Sequence, residues 1–309
     1  MPDIVAILFP VFAVVAVGYA AAYTGVLSPR DTSGISRFVF IIAIPILLFE
    51  SLSTLEFPDH FRWEFLFSFY LAAFLVYALG MILSRFWFGA GAKEQAIFGL
   101  GSAYSNMVLV GLPVISAAFG EQGLLPMFIL ISIHSLLLFT IFLILAERSQ
   151  EGLHWLRGLL QSSRNLLQNP LIIGLLAGLL ARFLNLQLPQ PVGQALDIIS
   201  QAALPCALIV LGASLRQFKI RGELTKAWTI IALKLIVQPL IVGLLVFYVF
   251  DLEPVWGAVA VVAAGLPVGV NSYIMAESYQ VGRATISTAI LLSTLLAIFT
   301  LSVLLSILL

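Results

Sequence analysis

The sequence predicts an all-α membrane protein with ten transmembrane helices, arranged as two inverted five-helix repeats with broken crossover helices four and nine. Three observations lead to this fold class. The 309 residues are 61% hydrophobic and 10% charged, which is too little polar surface for a water-soluble globule of this size. Apolar windows of about 20 residues recur along the whole chain. The tetrapeptide Gly-Leu-Pro-Val stands at 111–114 and again at 265–268.

Ten apolar windows have the length of a spanning helix, and short polar breaks separate them. They fall at about 4–24, 35–53, 64–88, 96–120, 124–146, 168–186, 192–215, 227–250, 255–279 and 284–308. The first window follows Asp3 and no Lys or Arg, and no small-residue cleavage site comes after it. It is therefore interpreted as a spanning helix and not as a secretion signal.

Several function classes are excluded by what the sequence lacks. It contains no metal-ligand cluster, phosphate loop or nucleophile elbow, and its lone cysteine, Cys206, permits no intrachain disulfide. The longest connection, about 147–167, is too short for an ATPase domain. We therefore expect neither an enzyme nor a primary pump, and no cofactor or metal.

Basic residues lie almost entirely in alternate loops, which sets the predicted orientation because Lys and Arg are retained on the cytoplasmic side. The cytoplasmic group comprises Arg30, Arg37, Arg85, Lys93, Arg148, Arg157, Arg164, Arg216, Lys219, Arg221, Lys226 and Arg283. The opposite group has Arg62 and Arg182. Both termini are predicted to be external, and the basic loops are expected to contact anionic lipid headgroups and not nucleic acid.

The two halves of the chain carry matching landmarks, which indicates an internal repeat. The offsets are 267 − 113 = 154 for Pro113 and Pro267, 205 − 45 = 160 for Pro45 and Pro205, and 178 − 18 = 160 for Gly18 and Gly178. Because a repeat of five spans is odd, the second copy must enter the membrane from the opposite side. Inverted repeats of this kind are characteristic of secondary transporters.

Each Gly-Leu-Pro is expected to break its helix, so that half-helices begin at Pro113 and Pro267. Such a break survives in a membrane only where it is buried in protein or lines a wet cavity. Two half-helix N-termini would meet near the midplane, and their positive ends favour an anion such as a carboxylate.

Polar side chains flank both breaks and complete a candidate site. The predicted substrate contacts are Tyr104, Ser105, Asn106, Gly111, Pro113, Gly265, Pro267, Asn271 and Ser272. The alternative is that the prolines are ordinary kinks and that the polar side chains join helices by hydrogen bonds.

Two ionisable side chains inside the windows could serve coupling or charge compensation. Lys234 either faces the crossover, where it substitutes for a coupling cation or attracts an anion, or snorkels to the cytoplasmic surface. His134 either takes up a proton with substrate or is a neutral, hydrogen-bonded histidine of the bundle. No Asp or Glu lies near either Gly-Leu-Pro, which argues against ion exchange as the main task.

Motifs along the whole chain resemble those of the auxin efflux carrier family, which includes bacterial permeases and plant PIN-type carriers. They are IPILLF at 44–49, NMVLVGLP at 106–113, NPLIIGLLAGLL at 169–180, ALPCALIVLGASL at 203–215, KLIVQPL at 234–240 and GLPVGVNSYIMAESY at 265–279. The resemblance implies an elevator mechanism with Asn106 holding the substrate carboxylate. It also implies a dimeric scaffold of helices 1–2 (1–60) and 6–7 (165–216), and a transport domain of helices 3–5 (61–150) and 8–10 (224–309).

The expected function is a secondary transporter, a permease or efflux carrier, for a small organic anion such as a mono- or dicarboxylate. The alternative is a membrane sensor or receptor of the same fold that binds a lipid or sterol without transport, and a channel is a third possibility. The compact loops suggest a bacterial plasma membrane. The chain lacks the long central loop of the plant carriers, so neither their regulation through that loop nor auxin itself as substrate is supported.

Overall fold

The computed structural model describes residues 4–54, 62–147, 169–186, 188–220 and 222–309. The predicted connection at 147–167 lies almost wholly outside these ranges, as do Arg148, Arg157, Arg164 and Arg221. We number the described α-helices α1 Ile4–Thr24, α2 Pro29–Thr54, α3 Trp63–Phe88, α4 Ala92–Ala103, α5 Leu112–Phe119, α6 Leu124–Glu147, α7 Pro170–Phe183, α8 Gln190–Leu215, α9 Leu224–Val249, α10 Pro254–Ala264, α11 Asn271–Ser278 and α12 Arg283–Leu308.

The described part of the chain is helical, as the sequence predicts. Seven stretches in it are long and apolar enough to cross a membrane: α1, α2, α3, α8, α9, α12 and the continuous segment Met107–Ala146. Helices α7 and α10 are apolar but shorter. Within these ranges, β-structure is limited to one isolated bridge, between Ser105 and Val268. The chain is therefore an integral membrane protein built from helices.

Helix α2 begins six residues before the apolar window that predicts it. Ser28 caps its N-terminus: the Ser28 Oγ accepts a hydrogen bond from the Asp31 amide at 3.2 Å, and the Ser28 amide donates to Asp31 Oδ2 at 2.9 Å. Pro29 occupies the first turn, where its missing N–H breaks no helical bond. Capping therefore lengthens the helix with a polar turn that a hydropathy window does not detect.

Two helix pairs pack closely through glycine. Helix α1 lies along the second half of α8, and the second half of α2 lies along α7. A Cβ added to Gly178 of α7 would lie 2.7 Å from the Phe49 carbonyl oxygen of α2. A Cβ added to Gly18 of α1 would lie 2.8 Å from the Cα of Ile209 in α8. Small residues let membrane helices approach backbone to backbone, and these two glycines are the ones that the repeat offset of 160 relates.

Helices four and nine of the prediction are both interrupted. The first ends as α4 at Ala103, is non-helical through 104–106, and resumes in a π-helical turn, Met107–Gly111, that continues into α5. The second ends as α10 at Ala264 and resumes at Asn271 as α11. These interruptions divide the half-helices: Pro113 lies after the first one, and Pro267 lies inside the second.

The expectation that half-helices begin at Pro113 and Pro267 is correct only in part: α5 begins at Leu112, next to Pro113, but the helical segment that leads into it starts at Met107, and the second half-helix starts at Asn271. The Asn106 carbonyl accepts hydrogen bonds from the amides of Val110 at 3.2 Å and Gly111 at 3.1 Å, so a wide turn forms before the proline. Pro113 then lies in the first turn of α5, where an absent N–H is tolerated. Pro267 lies inside the second break, four residues before helix α11.

Candidate functional site

The two interruptions cross and satisfy each other's backbone groups. The Asn106 amide donates to the Pro267 carbonyl at 3.0 Å, and the Gly269 amide donates to the Tyr104 carbonyl at 2.8 Å, which forms the antiparallel bridge of Ser105 with Val268. Unpaired backbone groups are costly inside a membrane, so non-helical chain needs such partners. The pairing explains how two breaks persist deep in an apolar bundle.

Side chains from two other helices cap the outer edges of this bridge. The Ser105 amide donates to His134 Nε2 of α6 at 3.0 Å, and the Val268 amide donates to Ser293 Oγ of α12 at 3.0 Å. Positions 134 and 293 differ by 293 − 134 = 159, close to the offset of the sequence landmarks. Because His134 Nε2 is an acceptor here, the ring is neutral with its proton on Nδ1. This geometry is the one expected for a neutral, hydrogen-bonded histidine of the bundle, the second of the two alternatives for His134.

Tyr104 is held in place by stacking and by its hydroxyl. Its ring stacks between His134, with centroids 4.8 Å apart, and Phe139, with centroids 4.9 Å apart. The hydroxyl lies 2.7 Å from Ser135 Oγ and accepts from Asn271 Nδ2 at 3.4 Å. Ring stacking and the hydrogen bonds of the hydroxyl hold the Tyr104 side chain in one position. The residue thereby connects both breaks with α6.

A cavity of about 490 Å³ opens beside the crossing, between the breaks, α6, and the helices α2 and α7. Its polar lining consists of Tyr104, Ser105, Asn106, Ser132, His134, Ser135, Thr140, Asn169 and Asn271. The rest is mainly apolar and includes Phe40, Leu48 and Phe128. No Lys, Arg, Asp or Glu stands among these lining residues, all of which lie within the described ranges.

Four of the nine predicted substrate contacts line this cavity: Tyr104, Ser105, Asn106 and Asn271. The other five, Gly111, Pro113, Gly265, Pro267 and Ser272, are absent from the lining and shape the crossing instead. A Cβ on Gly111 would meet the side chains of Met127 and Leu266, and the Ser272 hydroxyl donates to the Gly269 carbonyl at 2.7 Å. Their contribution is close packing and a closed turn.

Three residues of the cavity lining each carry a buried polar atom that has no hydrogen-bond partner among the described residues: Asn106 Nδ2, Ser105 Oγ and His134 Nδ1. These residues are 6%, 2% and 2% exposed, so bulk water does not satisfy the three atoms in this state. Asn106 Nδ2 and the protonated His134 Nδ1 can only donate, and the serine hydroxyl can also donate. Together they suit a ligand rich in acceptors, such as a carboxylate.

Lys234 does not snorkel to the surface. The side chain is fully buried, and its Nζ donates to the carbonyl of Ala264, the last residue of α10. One turn further along α9, the buried Gln238 donates from Nε2 to the carbonyl of Ala103, the last residue of α4, at 3.4 Å. The structure thus brings Lys234 to the crossing, although Lys234 is not among the residues that line the cavity.

Sequence reasoning missed Gln238, Ser293, Ser135 and Asn169. Two of them had a usable signal: Ser293 lies one repeat offset after His134, and Gln238 lies one turn after Lys234 in the same window. Ser135 and Asn169 had none, because their place on the cavity depends on how α6 and α7 pack.

Outside the gaps in the described chain, no group of three or more His, Cys, Asp or Glu could hold a metal ion.

Comparison with known proteins agrees with this architecture. A family model described as a membrane transport protein matches residues 3–305. The chain belongs to this family. It is the auxin efflux carrier family that the sequence motifs resemble, and it comprises membrane transporters and not enzymes.

Three relatives illustrate the range of the family. The chain is 26% identical over 308 residues to the "Putative malonate transporter" of Rhizobium meliloti, covering 97% of this chain and 94% of the relative. It is 25% identical over 348 residues to auxin efflux carrier component 8 of Arabidopsis thaliana, covering 96% and 94%. It is also 25% identical over 268 residues to the lysosomal cholesterol signaling protein of Mus musculus, covering 76% of this chain and 29% of that longer protein.

Proposed function

We propose that this family member is a secondary transporter for a small organic anion, whose carboxylate is held at the crossing of the two interrupted helices. The observation that carries the proposal is the set of three buried, unpartnered donors on residues that line one cavity, Asn106 Nδ2, Ser105 Oγ and His134 Nδ1. A buried donor without a partner is costly, and a carboxylate supplies several acceptor sites at once. Ligand binding would therefore relieve an existing penalty.

The electrostatic setting supports an anion without a basic residue on the lining. The helical segment that starts at Met107 and helix α11, which starts at Asn271, both begin at the crossing, and helix N-termini carry partial positive charge. Asn106 and Asn271 stand at these two starts and line the cavity. This arrangement matches the half-helix sites of inverted-repeat carriers.

The proposed movement is an elevator. Residues 1–60 and 165–216 would form the scaffold, and 61–150 and 224–309 the transport domain. The pairing of α1 with α8 and of α2 with α7 supports the scaffold, because the repeat maps one pair onto the other. The cavity lies between the crossing and the scaffold helices α2 and α7, where sliding would carry it across the membrane. We propose a homodimer through the scaffold, following the family resemblance.

The substrate class is a mono- or dicarboxylate. Among the relatives, one is named for malonate and others for auxin efflux, and each name describes that protein alone. The polar end of the cavity at Ser105 and Asn106 fits a carboxylate. The apolar wall with Phe40, Leu48 and Phe128 fits the remainder of the molecule.

A sensor that binds a lipid or sterol without transport is the second candidate. The similarity to the lysosomal cholesterol signaling protein and the largely apolar cavity wall favour it. Flux separates the two candidates, because a sensor in sealed vesicles binds its ligand without accumulating it. Saturable uptake would support the carrier.

The first experiment is a thermal-shift screen of the detergent-solubilised protein against small carboxylates, amino acids and sterols. A ligand that binds the folded state raises its Tm by mass action. We expect stabilisation by a carboxylate in the wild type and its loss in Asn106→Ala. The matched control is Asn185→Gly, because Asn185 is exposed with φ of 48°, which glycine adopts freely. Stabilisation by sterols alone, insensitive to Asn106, would contradict the carrier proposal.

A further inference from the structure

Two helices end at the crossing, and their last carbonyls have no partner within the helix. Helix α4 ends at Ala103 and helix α10 ends at Ala264, and the last carbonyls of a helix have no partner within it. These ends also carry the negative part of the helix dipole. In inverted-repeat carriers, such half-helix ends and unwound carbonyls are where a coupling Na⁺ or proton binds. The partial negative charge at these two helix ends therefore favours a bound cation.

Helix α9 supplies a side chain to each of these two ends. Lys234 Nζ donates to the Ala264 carbonyl, and Gln238 Nε2 donates to the Ala103 carbonyl at 3.4 Å. Both side chains have no exposed surface. Lys234 lies within a π-helical turn, Leu233–Val237, a distortion that is frequent at functional sites.

The Lys234 ammonium has no carboxylate to neutralise it within the described ranges. The ion pairs there join Lys226 to Glu94 and Glu223, Arg62 to Glu64 and Arg283 to Glu277. A buried lone cation in a membrane protein is costly and marks function by default. Carbonyl dipoles at a helix end are the partners that the structure gives it.

We propose that Lys234 and Gln238 together occupy the place of a coupling cation, so that this carrier moves its anion without Na⁺. The ammonium is a tethered cation at the end of α10, and the amide holds the end of α4. The charge balance between Lys234 and a bound anion rests on the proposed function. A transport domain that holds Lys234 and one bound monocarboxylate is neutral at the crossing, so its passage through the bilayer avoids the cost of an unbalanced charge.

The decisive variant is Lys234→Ala, which opens space for a small external cation. In the thermal-shift assay without substrate, we expect methylammonium or Na⁺ to raise the Tm of this variant and not that of the wild type. We also expect its carboxylate affinity to fall at least tenfold and to recover with methylammonium, but not with the larger tetramethylammonium. The control is Lys219→Ala, whose lysine is exposed between α8 and α9 and forms no ion pair with a described residue.

Two results would overturn the tethered cation. One is a Lys234→Ala variant that ignores small cations and keeps wild-type carboxylate affinity. The other is wild-type uptake into proteoliposomes that stops when Na⁺ is replaced by choline, and this test applies even if the variant fails to fold. Failure of the proposed function has a different signature, since no carboxylate would then stabilise the wild type, while the cation response of the variant could still be read.

Discussion

Single hydrogen bonds at His134 and Ser293 hold the edges of the crossing. Each accepts from the outward amide of one bridge residue, Ser105 or Val268, at 3.0 Å. A buried amide without a partner costs about 1–3 kcal/mol. These two side chains therefore stabilise the unwound chain, and the other ring nitrogen of His134, a residue of the cavity lining, is buried without a partner among the described residues.

Replacing Ser293 with alanine should destabilise the protein by about 1–3 kcal/mol, because the Val268 amide loses its acceptor. The measurement is the Tm in detergent. Ser306→Ala is the control on the same helix, since Ser306 is exposed and bonds only within α12. Equal Tm values for the two variants would show that the Val268 amide finds another partner.

Asn106→Asp should weaken carboxylate binding more than Asn106→Ala does. The aspartate keeps the shape of the side chain but replaces the Nδ2 donor with an oxygen that carries negative charge and repels the substrate. Dissociation constants from titration calorimetry test the ranking. Tighter binding by the aspartate variant than by the alanine variant would show that Asn106 does not face the carboxylate.

At the scale of elements, glycine allows two pairs of helices to approach each other backbone to backbone. Gly178 of α7 touches the backbone of α2, and Gly18 of α1 touches the backbone of α8. In lipid there is little hydrophobic force between helices, so close van der Waals packing has to supply the association. The glycine positions thus allow two close helix pairs that the apolar windows alone leave undefined, and these pairs are the ones proposed to form the scaffold.

Gly178→Val should separate α7 from α2, because its Cβ would lie 2.7 Å from the Phe49 carbonyl oxygen. Overpacking of this kind costs about 1–3 kcal/mol. The expected result is a lower Tm together with reduced transport. Gly193→Ala is the control, since nothing lies within 4 Å of its added Cβ, and its Tm should not fall.

At the scale of the whole molecule, the charge asymmetry predicts the orientation of the bundle. Arg216 and Lys219 lie between α8 and α9, on the side that is proposed to be cytoplasmic, and Leu309 follows α12 on the proposed external side. Retention of basic loops in the cytoplasm is the physical basis. The orientation also determines which face the cavity opens to in this state.

Cysteine labelling tests this orientation. Cys206 is the lone cysteine, so a Cys206→Ser background leaves no competing thiol. In that background, Leu309→Cys should react with a membrane-impermeant maleimide in intact cells. Gln217→Cys, an exposed position in the α8–α9 loop, should react only after permeabilisation. The reverse pattern would place both termini inside.

The sequence by itself determined that this is a helical membrane protein of the auxin efflux carrier family, and it located two breaks to within several residues. Hydropathy, helix length and proline chemistry are local properties, so they are visible along a single chain. It also singled out Asn106, Tyr104 and Asn271 as polar groups beside those breaks.

Only the tertiary structure decided where the half-helices resume and which side chains reach the cavity. The break at Ser105 is stable because Val268 pairs with it. The two residues are 268 − 105 = 163 positions apart, and the sequence around either one does not encode a pairing over that separation. The same holds for Lys234, whose choice between the surface and the Ala264 carbonyl depends on the packing of α9 against α10. Buried polar groups take the partners that the fold delivers, and this is why their roles follow from packing.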